Sequence, residues 1–384
     1  MNKSRILILS LIGIIVISLG IYTWNHQSKK PGEDLTKYDY VVSFYSIHQN
    51  GKMNPQTKII FASSDQEQLE FSDKVYTAGR LFQEGNTFRA YSFGGNKSLL
   101  FESSSGYSTF STSKGALDSN IYTVNFALNG MNGRIEVITI DDGSTGEIRN
   151  TIQYTNPNHK VVTSPVIHAA IHHAVEIGTR LYIVGYDMVQ DRYELYYLDE
   201  ETNEVQFVDY WYHTSVEFEE LLYVNGKIIT VENPYHSRFM DEKEIPEMAS
   251  VTSMDPETLE SMNVSLETKK IITAYTYDNH IRVVTEDNHL LEYTTDLELV
   301  TDQDLSGTDF AKLFANTEYK LHGIRYLEDK AAAIVTPNSE TTTELGKILE
   351  FDADTLTLQN SITILLSENT GWETDFTDLL MIEK

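Results

Sequence analysis

A closed ring of antiparallel four-stranded sheets, a β-propeller of seven blades with six or eight as the alternatives, is the all-β fold this sequence predicts. Three features carry that prediction. Apolar runs recur on either side of an Asp-x-x-Thr turn, tight Asn-Gly-type turns recur at a fixed period, and the last segment supplies a strand that the first blade lacks.

The Asp-x-x-Thr turn is clearest within residues 195–207, where Asp199 and Thr202 join two apolar runs. Asp255 with Thr258 and Asp352 with Thr355 repeat it; Asp142 with Thr145 and Gly146 gives another copy, and Thr295 with Asp296 a degenerate one. An Asp ending a strand accepts from backbone N–H groups two or three residues on, and a following Gly or Asn suits positive φ. Each copy therefore reads as a hairpin. Calcium binding is the alternative use of these acids, but their spacing lacks the dense oxygen-ligand pattern of a dedicated loop.

Tighter turns precede the copies at Gly85-Asn86, Asn132-Gly133, Gly178-Thr179, Asn225-Gly226, Asp278-Asn279 and Asp329-Lys330, each between apolar β-type runs. Positions 85, 132, 178, 226, 279 and 329 step by 46 to 53 residues, about 49 on average, which is a blade-sized period. Each unit reads as strand A, tight turn, strand B, variable loop, strand C, Asp turn, strand D. The opening set has only three strands, at 40–47, 58–62 and 68–71. Residues 375–382 fall one period after the last tight turn and are expected to be its missing strand A, closing the ring and protecting its terminal edges.

The repeated apolar run followed by Asp-x-x-Thr, at Asp199–Thr202, Asp255–Thr258 and Asp352–Thr355, resembles the quinoprotein-like and YVTN-type β-propeller repeats over most of the chain from Tyr38 onward. Quinoprotein dehydrogenases also carry a repeated docking Trp. Here only Trp24, Trp211 and Trp372 exist, none in that register, so the resemblance implies the fold and no quinone chemistry. The Trp-Asp dipeptide of WD40 repeats and the sialidase Asp-box are missing.

Residues 1–37 stand apart. Lys3 and Arg5 precede an uncharged, mostly apolar run of 19 residues, 6–24, that ends in the interfacial pair Tyr22 and Trp24. Its length matches the ~20 residues that span a bilayer and exceeds the ~7–15 of a signal-peptide core. The expectation is a cytoplasmic stub (1–5), an uncleaved transmembrane signal anchor (6–24), a polar linker (25–37) and an extracytoplasmic propeller (38–384). Cleavage after Ser18-Leu19-Gly20 is the alternative. With no cysteine there is neither a lipid-attachment site nor a disulfide.

Net charge is −28 for the chain; residues 31–384 hold 25 Lys and Arg against 57 Asp and Glu. A phosphate backbone needs a basic footprint, so nucleic acid is excluded as a partner.

In such a fold the A–B and C–D turns share one face, and the longer B–C and D–A connections share the other. Binding residues concentrate on loops of a rigid scaffold. The long-loop face offers Tyr210, Trp211, Tyr212 and His213 on an expected D–A connection, then Tyr235, His236 and Arg238, and Trp372. Aromatic residues beside Arg are the composition of a recognition surface. His168 and His172 are the candidate metal pair. They share a face at i, i+4 whether the segment is helix or strand, with His173 opposite on a strand, although Ala169 stands where a zincin motif needs Glu. No cofactor is expected, and a divalent metal at that pair is the one inorganic ligand suggested. The sequence thus predicts a monomeric, non-enzymatic module that binds an envelope protein or peptide. The alternative is an envelope polysaccharide hydrolase or lyase with its site at the mouth of the channel.

Overall fold

A computed structural model describes residues 34–49, 52–73, 81–90, 98–102, 106–110, 122–130, 133–142, 147–155, 161–163, 167, 169–187, 190, 192–212, 216–234, 248–316, 318–338, 344–365 and 375–384, for some of these the backbone alone. The expected anchor, 6–24, lies outside them. Among the described residues no helix is long and apolar enough to cross a membrane.

The segments 59–62, 181–184, 228–231, 281–284 and 331–335 are nearly continuous apolar runs, and both of their faces are buried. A run of this kind, four or five residues long and bounded by turn signals, fits a strand sandwiched between two layers. Four of them are the second strand of a four-stranded meander, and 59–62 belongs to the third strand of its sheet.

The described residues form seven such sheets. Sheet 1 is ordered β28 (Asp375–Met381), β1 (Tyr40–Gln49), β2 (Lys52–Ala62), β3 (Gln68–Asp73). Sheet 2 takes β4 (Leu81–Glu84), β5 (Thr87–Ala90), β6 (Ser98–Glu102) and β7 (Gly106–Phe110); sheet 3 takes β8 (Tyr122–Gly130), β9 (Gly133–Asp142), β10 (Glu147–Thr155) and β11 (Val161–Thr163). Sheet 4 follows with β12 (Ala170–Ile177), β13 (Arg180–Asp187), β14 (Arg192–Asp199) and β15 (Glu204–Tyr212), and sheet 5 with β16 (Val216–Val224), β17 (Lys227–Pro234), β18 (Ser250–Met254) and β19 (Ser261–Ser265). Sheet 6 holds β20 (Ile271–Tyr277), β21 (His280–Thr285), β22 (His289–Tyr293) and β23 (Leu299–Asp304); sheet 7 holds β24 (Tyr319–Leu327), β25 (Lys330–Pro337), β26 (Glu344–Asp352) and β27 (Leu358–Leu365).

The arrangement is propeller-like. First strands of successive sheets touch one another, β4 with β8, β8 with β12, β12 with β16, β16 with β20, and β24 with β28. The end of the chain returns to its beginning, with Met381 opposite Tyr40 and Leu379 opposite Val42. Hydrophobic clusters lie between sheets. Tyr40, Val42 and Ile60 meet Ile334, Ile348 and Ile362 across sheets 1 and 7, while Phe61 meets the rings of Phe88 and Phe101 across sheets 1 and 2.

The Asp turns form as their composition dictates. Asp199 Oδ1 accepts the N–H groups of Glu201 and Thr202, Asp255 those of Glu257 and Thr258, and Asp352 that of Thr355. The next residue has positive φ, but it is Asn203 in one turn and Leu259 or Leu356 in the others, where Gly or Asn was expected. Leu356 is fully buried against Phe310 and Phe351. Burying a leucine gains about 1.5–3 kcal/mol, enough to offset the ~1–3 kcal/mol of a left-handed backbone. One copy is placed differently from expectation. Residues 142–146 join the second and third strands of sheet 3, because turn chemistry fixes a hairpin without saying which pair of strands it joins.

One addition and one correction concern the long connections. Residues 305–322 contain a helix, α1 (Asp309–Ala315), whose first turn is capped by Thr308 Oγ1 accepting from Ala311 N–H. Tyr210, Trp211 and Tyr212 lie on strand β15 rather than in a loop, with Trp211 opposite Tyr193 and Tyr212 opposite Arg192.

Candidate functional site

On β14, Arg192, Glu194 and Tyr196 alternate onto one face. Opposite them β15 presents Tyr210 and Phe207, and this sharing depends on a register break at Val208. Residues 207 and 210 would otherwise point to opposite faces. Phe207 and Tyr210 are 50% and 40% exposed, and their rings stack at 6.4 Å. Arg192 sits over Tyr210 at 4.4 Å from the ring centroid and over Phe207 at 5.9 Å.

What fixes the guanidinium is Glu194, a buried carboxylate. Arg192 Nε donates to Glu194 Oε1 at 2.7 Å, Nη2 donates to the same oxygen, and the Tyr196 hydroxyl donates to Oε2. The hydrogen bond to Glu194 comes first among the causes that raise the Arg192 pKa. Charge and rings are thus held in place before anything binds. A cation over an exposed ring contributes about 0.5–1 kcal/mol by itself, so the ledge is held mainly by the buried charge pair.

A second set of polar groups lies on the first strands, around the axis. Register breaks there leave one extra residue in each of six described strands: Asn125, His172, Glu219, Ile272, His322 and Thr377. Just after two of these breaks, His173 Nδ1 of sheet 4 faces Glu220 Oε1 of sheet 5 at 3.4 Å. Tyr326 of sheet 7 stacks on Tyr275 of sheet 6 at 3.8 Å between centroids. Arg325 donates to Asp378 Oδ1 at 3.2 Å, while Asp378 Oδ2 accepts the Leu81 N–H at 2.9 Å, tying sheets 7, 1 and 2. His322 shares a hydrogen bond of 2.6 Å with Thr336, and burial, then Lys320, lowers its pKa and keeps it neutral. Neither His173 nor Glu220 is fully buried, so the pair remains open to a polar ligand.

The break leaves His172 as the extra residue of β12, and residue 168 lies outside the described residues. The side chain of His172 lies outside them too, as do His213, Tyr235, His236, Arg238 and Trp372 and the side chains of Trp211 and Tyr212. Among the described residues no three His, Asp or Glu side chains gather as a cation site. The ledge itself had a sequence signal that went unread: Arg192-x-Glu194-x-Tyr196 is a same-face triplet on a strand.

No family model and no curated protein matches the chain. Solved structures do match in shape. An apocarotenoid oxygenase from Synechocystis superposes with a TM-score of 0.52 at 8% identity, over 91% of this chain and 94% of that one. A candidate 6-phosphogluconolactonase from Bacteroides uniformis superposes with a TM-score of 0.51 at 12% identity, over 90% and 100%. The likeness is one of fold. It supports the propeller-like all-β architecture, and at these identities it carries no residue and no activity across.

Proposed function

We propose that the protein is a membrane-anchored, extracytoplasmic binding module of the bacterial envelope: a closed seven-bladed propeller behind an N-terminal transmembrane helix, engaging a protein or peptide and catalysing nothing itself. The observation that carries this reading is the ledge of Phe207, Tyr210 and Arg192. Aromatic and Arg side chains dominate the energy of protein interfaces, most of all when their rotamers are fixed beforehand. Glu194 and Tyr196 supply that fixing here. The anchor rests on the sequence of residues 6–24 alone, and the exterior placement on the usual topology of such anchors.

The test is site-specific crosslinking in native envelopes. A photoreactive residue replacing Tyr210 in the full chain is expected to yield a discrete adduct with an envelope protein, and one replacing Lys330, on the opposite short-turn face, none. Equal or absent crosslinking at both positions contradicts the reading.

One observation favours the second reading, an envelope polysaccharide hydrolase or lyase. His173 and Glu220 pair at 3.4 Å where two first strands meet, and these are residue types that serve as general acid and base. Loss of polysaccharide turnover in Glu220→Gln, with the ledge intact, would establish it.

A further inference from the structure

The outer strand of each sheet ends in a row of backbone N–H and C=O groups, which invite pairing unless they are blocked. On sheet 7 they are blocked. Gln66 donates Nε2 to the Ser361 carbonyl and accepts the Thr363 N–H; Gln68 donates to the Thr363 carbonyl and accepts the Leu365 N–H. Two side-chain amides thus imitate the next strand. They leave β27 closed, although Leu358 and Leu365 on it are exposed.

Strand β23 of sheet 6 has no such cover. All six of its residues are exposed, Leu299 at 55% and Val300 at 47%, and no backbone group of Leu299–Asp304 bonds to anything except β22 among the described residues. Its charge is one-sided. From Thr294 to Ala311 the chain holds five acids, Asp296, Glu298, Asp302, Asp304 and Asp309, and neither Lys nor Arg. Against the strand, His289 bonds to Asp302 Oδ1 at 2.6 Å.

We propose that the free edge of β23 is a docking site for an extended, basic segment of a partner protein, which adds to sheet 6 as a fifth strand. Backbone pairing would supply affinity, Leu299 and Val300 would cover alternate apolar side chains, and Glu298, Asp302 and Asp304 would select Lys or Arg. An anionic strand would be repelled by the same acids. This surface is independent of the ledge on β15, and either can fail without the other.

The test uses the full chain in detergent and a fluorescent ten-residue peptide of alternating valine and lysine, read by anisotropy. Two N-methylated versions carry the methyl groups on one or the other alternate set of backbone nitrogens. One version is expected to lose binding at least about tenfold and the other to keep it, the signature of a strand paired along one edge. Charge reversal by Asp302→Lys with Glu298→Lys is expected to weaken the parent peptide by a similar factor, with an unchanged unfolding midpoint. Thr301→Lys, which leaves the His289–Asp302 bond in place, serves should the double variant unfold. Equal loss for both methylated peptides, indifference to charge reversal, or no binding at millimolar peptide would each overturn the proposal.

Discussion

The Tyr275 hydroxyl of sheet 6 donates to the backbone carbonyl of Ala353 in sheet 7 at 2.8 Å, one residue past the Asp that opens the Asp-x-x-Thr turn. The same relation recurs around the ring. Tyr182 of sheet 4 donates to the Pro256 carbonyl of sheet 5, Ser253 of sheet 5 to the Thr295 carbonyl of sheet 6, and Asn360 of sheet 7 to the Ser64 carbonyl of sheet 1. In sheets 5, 6, 7 and 1 the turn between the third and fourth strands is therefore the acceptor by which the sheet is tied to the one before. The repeated turn is an inter-sheet fastening as well as a hairpin.

Arg282 is the strongest of these ties. Only 7% of its side chain is exposed, and it bonds to Glu292, to Asp354 Oδ1 and to the carbonyls of Ala353 and Asp354. Removing it takes the guanidinium from the half-buried Glu292 carboxylate, from Asp354 and from two carbonyls, of which Ala353 keeps the Tyr275 hydroxyl. Arg282→Ala is expected to cost about 3–5 kcal/mol, and Tyr275→Phe about 1 kcal/mol, in equilibrium denaturation. Equal costs would contradict the hierarchy.

The turn acids give an acid-side signature. The Asp255 carboxylate accepts two backbone N–H groups and the Lys227 ammonium at 2.9 Å, and these hold its pKa down at about 2. With the folded pKa below the unfolded one, this contribution is full above about pH 4. It is lost as pH falls toward about 2. Asp255→Asn is expected to lower stability at pH 6 and to converge with the parent near pH 2, as read from urea midpoints across that range.

Glu232 titrates the other way. Burial raises its pKa despite hydrogen bonds from Thr230, Ser250 and Thr252. A raised carboxyl stabilises fully below the unfolded pKa and loses that contribution as pH rises through the folded one. Glu232→Gln is therefore expected to be more stable than the parent at pH 8 and to lose that advantage at pH 4. A constant difference across pH would show that Glu232 stays ionised in the fold.

The glutamine cover of β27 is testable through association. Gln66→Ala with Gln68→Ala uncovers the backbone of Ser361, Thr363 and Leu365 beside exposed Leu358 and Leu365. Concentration-dependent self-association is expected in sedimentation velocity, with the monomer retained by Gln66→Asn. Unchanged sedimentation would mean that the edge needs no cover.

The fold was legible where local chemistry decides it. Asp199, Asp255 and Asp352 announce their turns within four residues, and the closing strand at 375–381 follows from the period. What long-range pairing decides was not legible. Whether Tyr210–Tyr212 is loop or strand depends on the partner Arg192–Glu194, and the extra residue at His172 depends on how β12 meets β13. Leu356 could occupy a left-handed turn only because Phe310 and Phe351 bury it, and α1 is too short to show a helical period. Of the candidate ledge, only Tyr210 was legible in the sequence. Its organising group, buried Glu194, was not.

The measurement that tests the account most directly compares two sites in one assay. Binding of the crosslinked envelope partner is measured for the full chain, for Phe207→Ala with Tyr210→Ala, and for His173→Ala with Glu220→Gln. The account expects the ledge variant to lose affinity by about 2–4 kcal/mol, the scale of interface hot spots, and the axial variant to bind as the parent does. Loss confined to the axial variant would contradict it and place function in the channel.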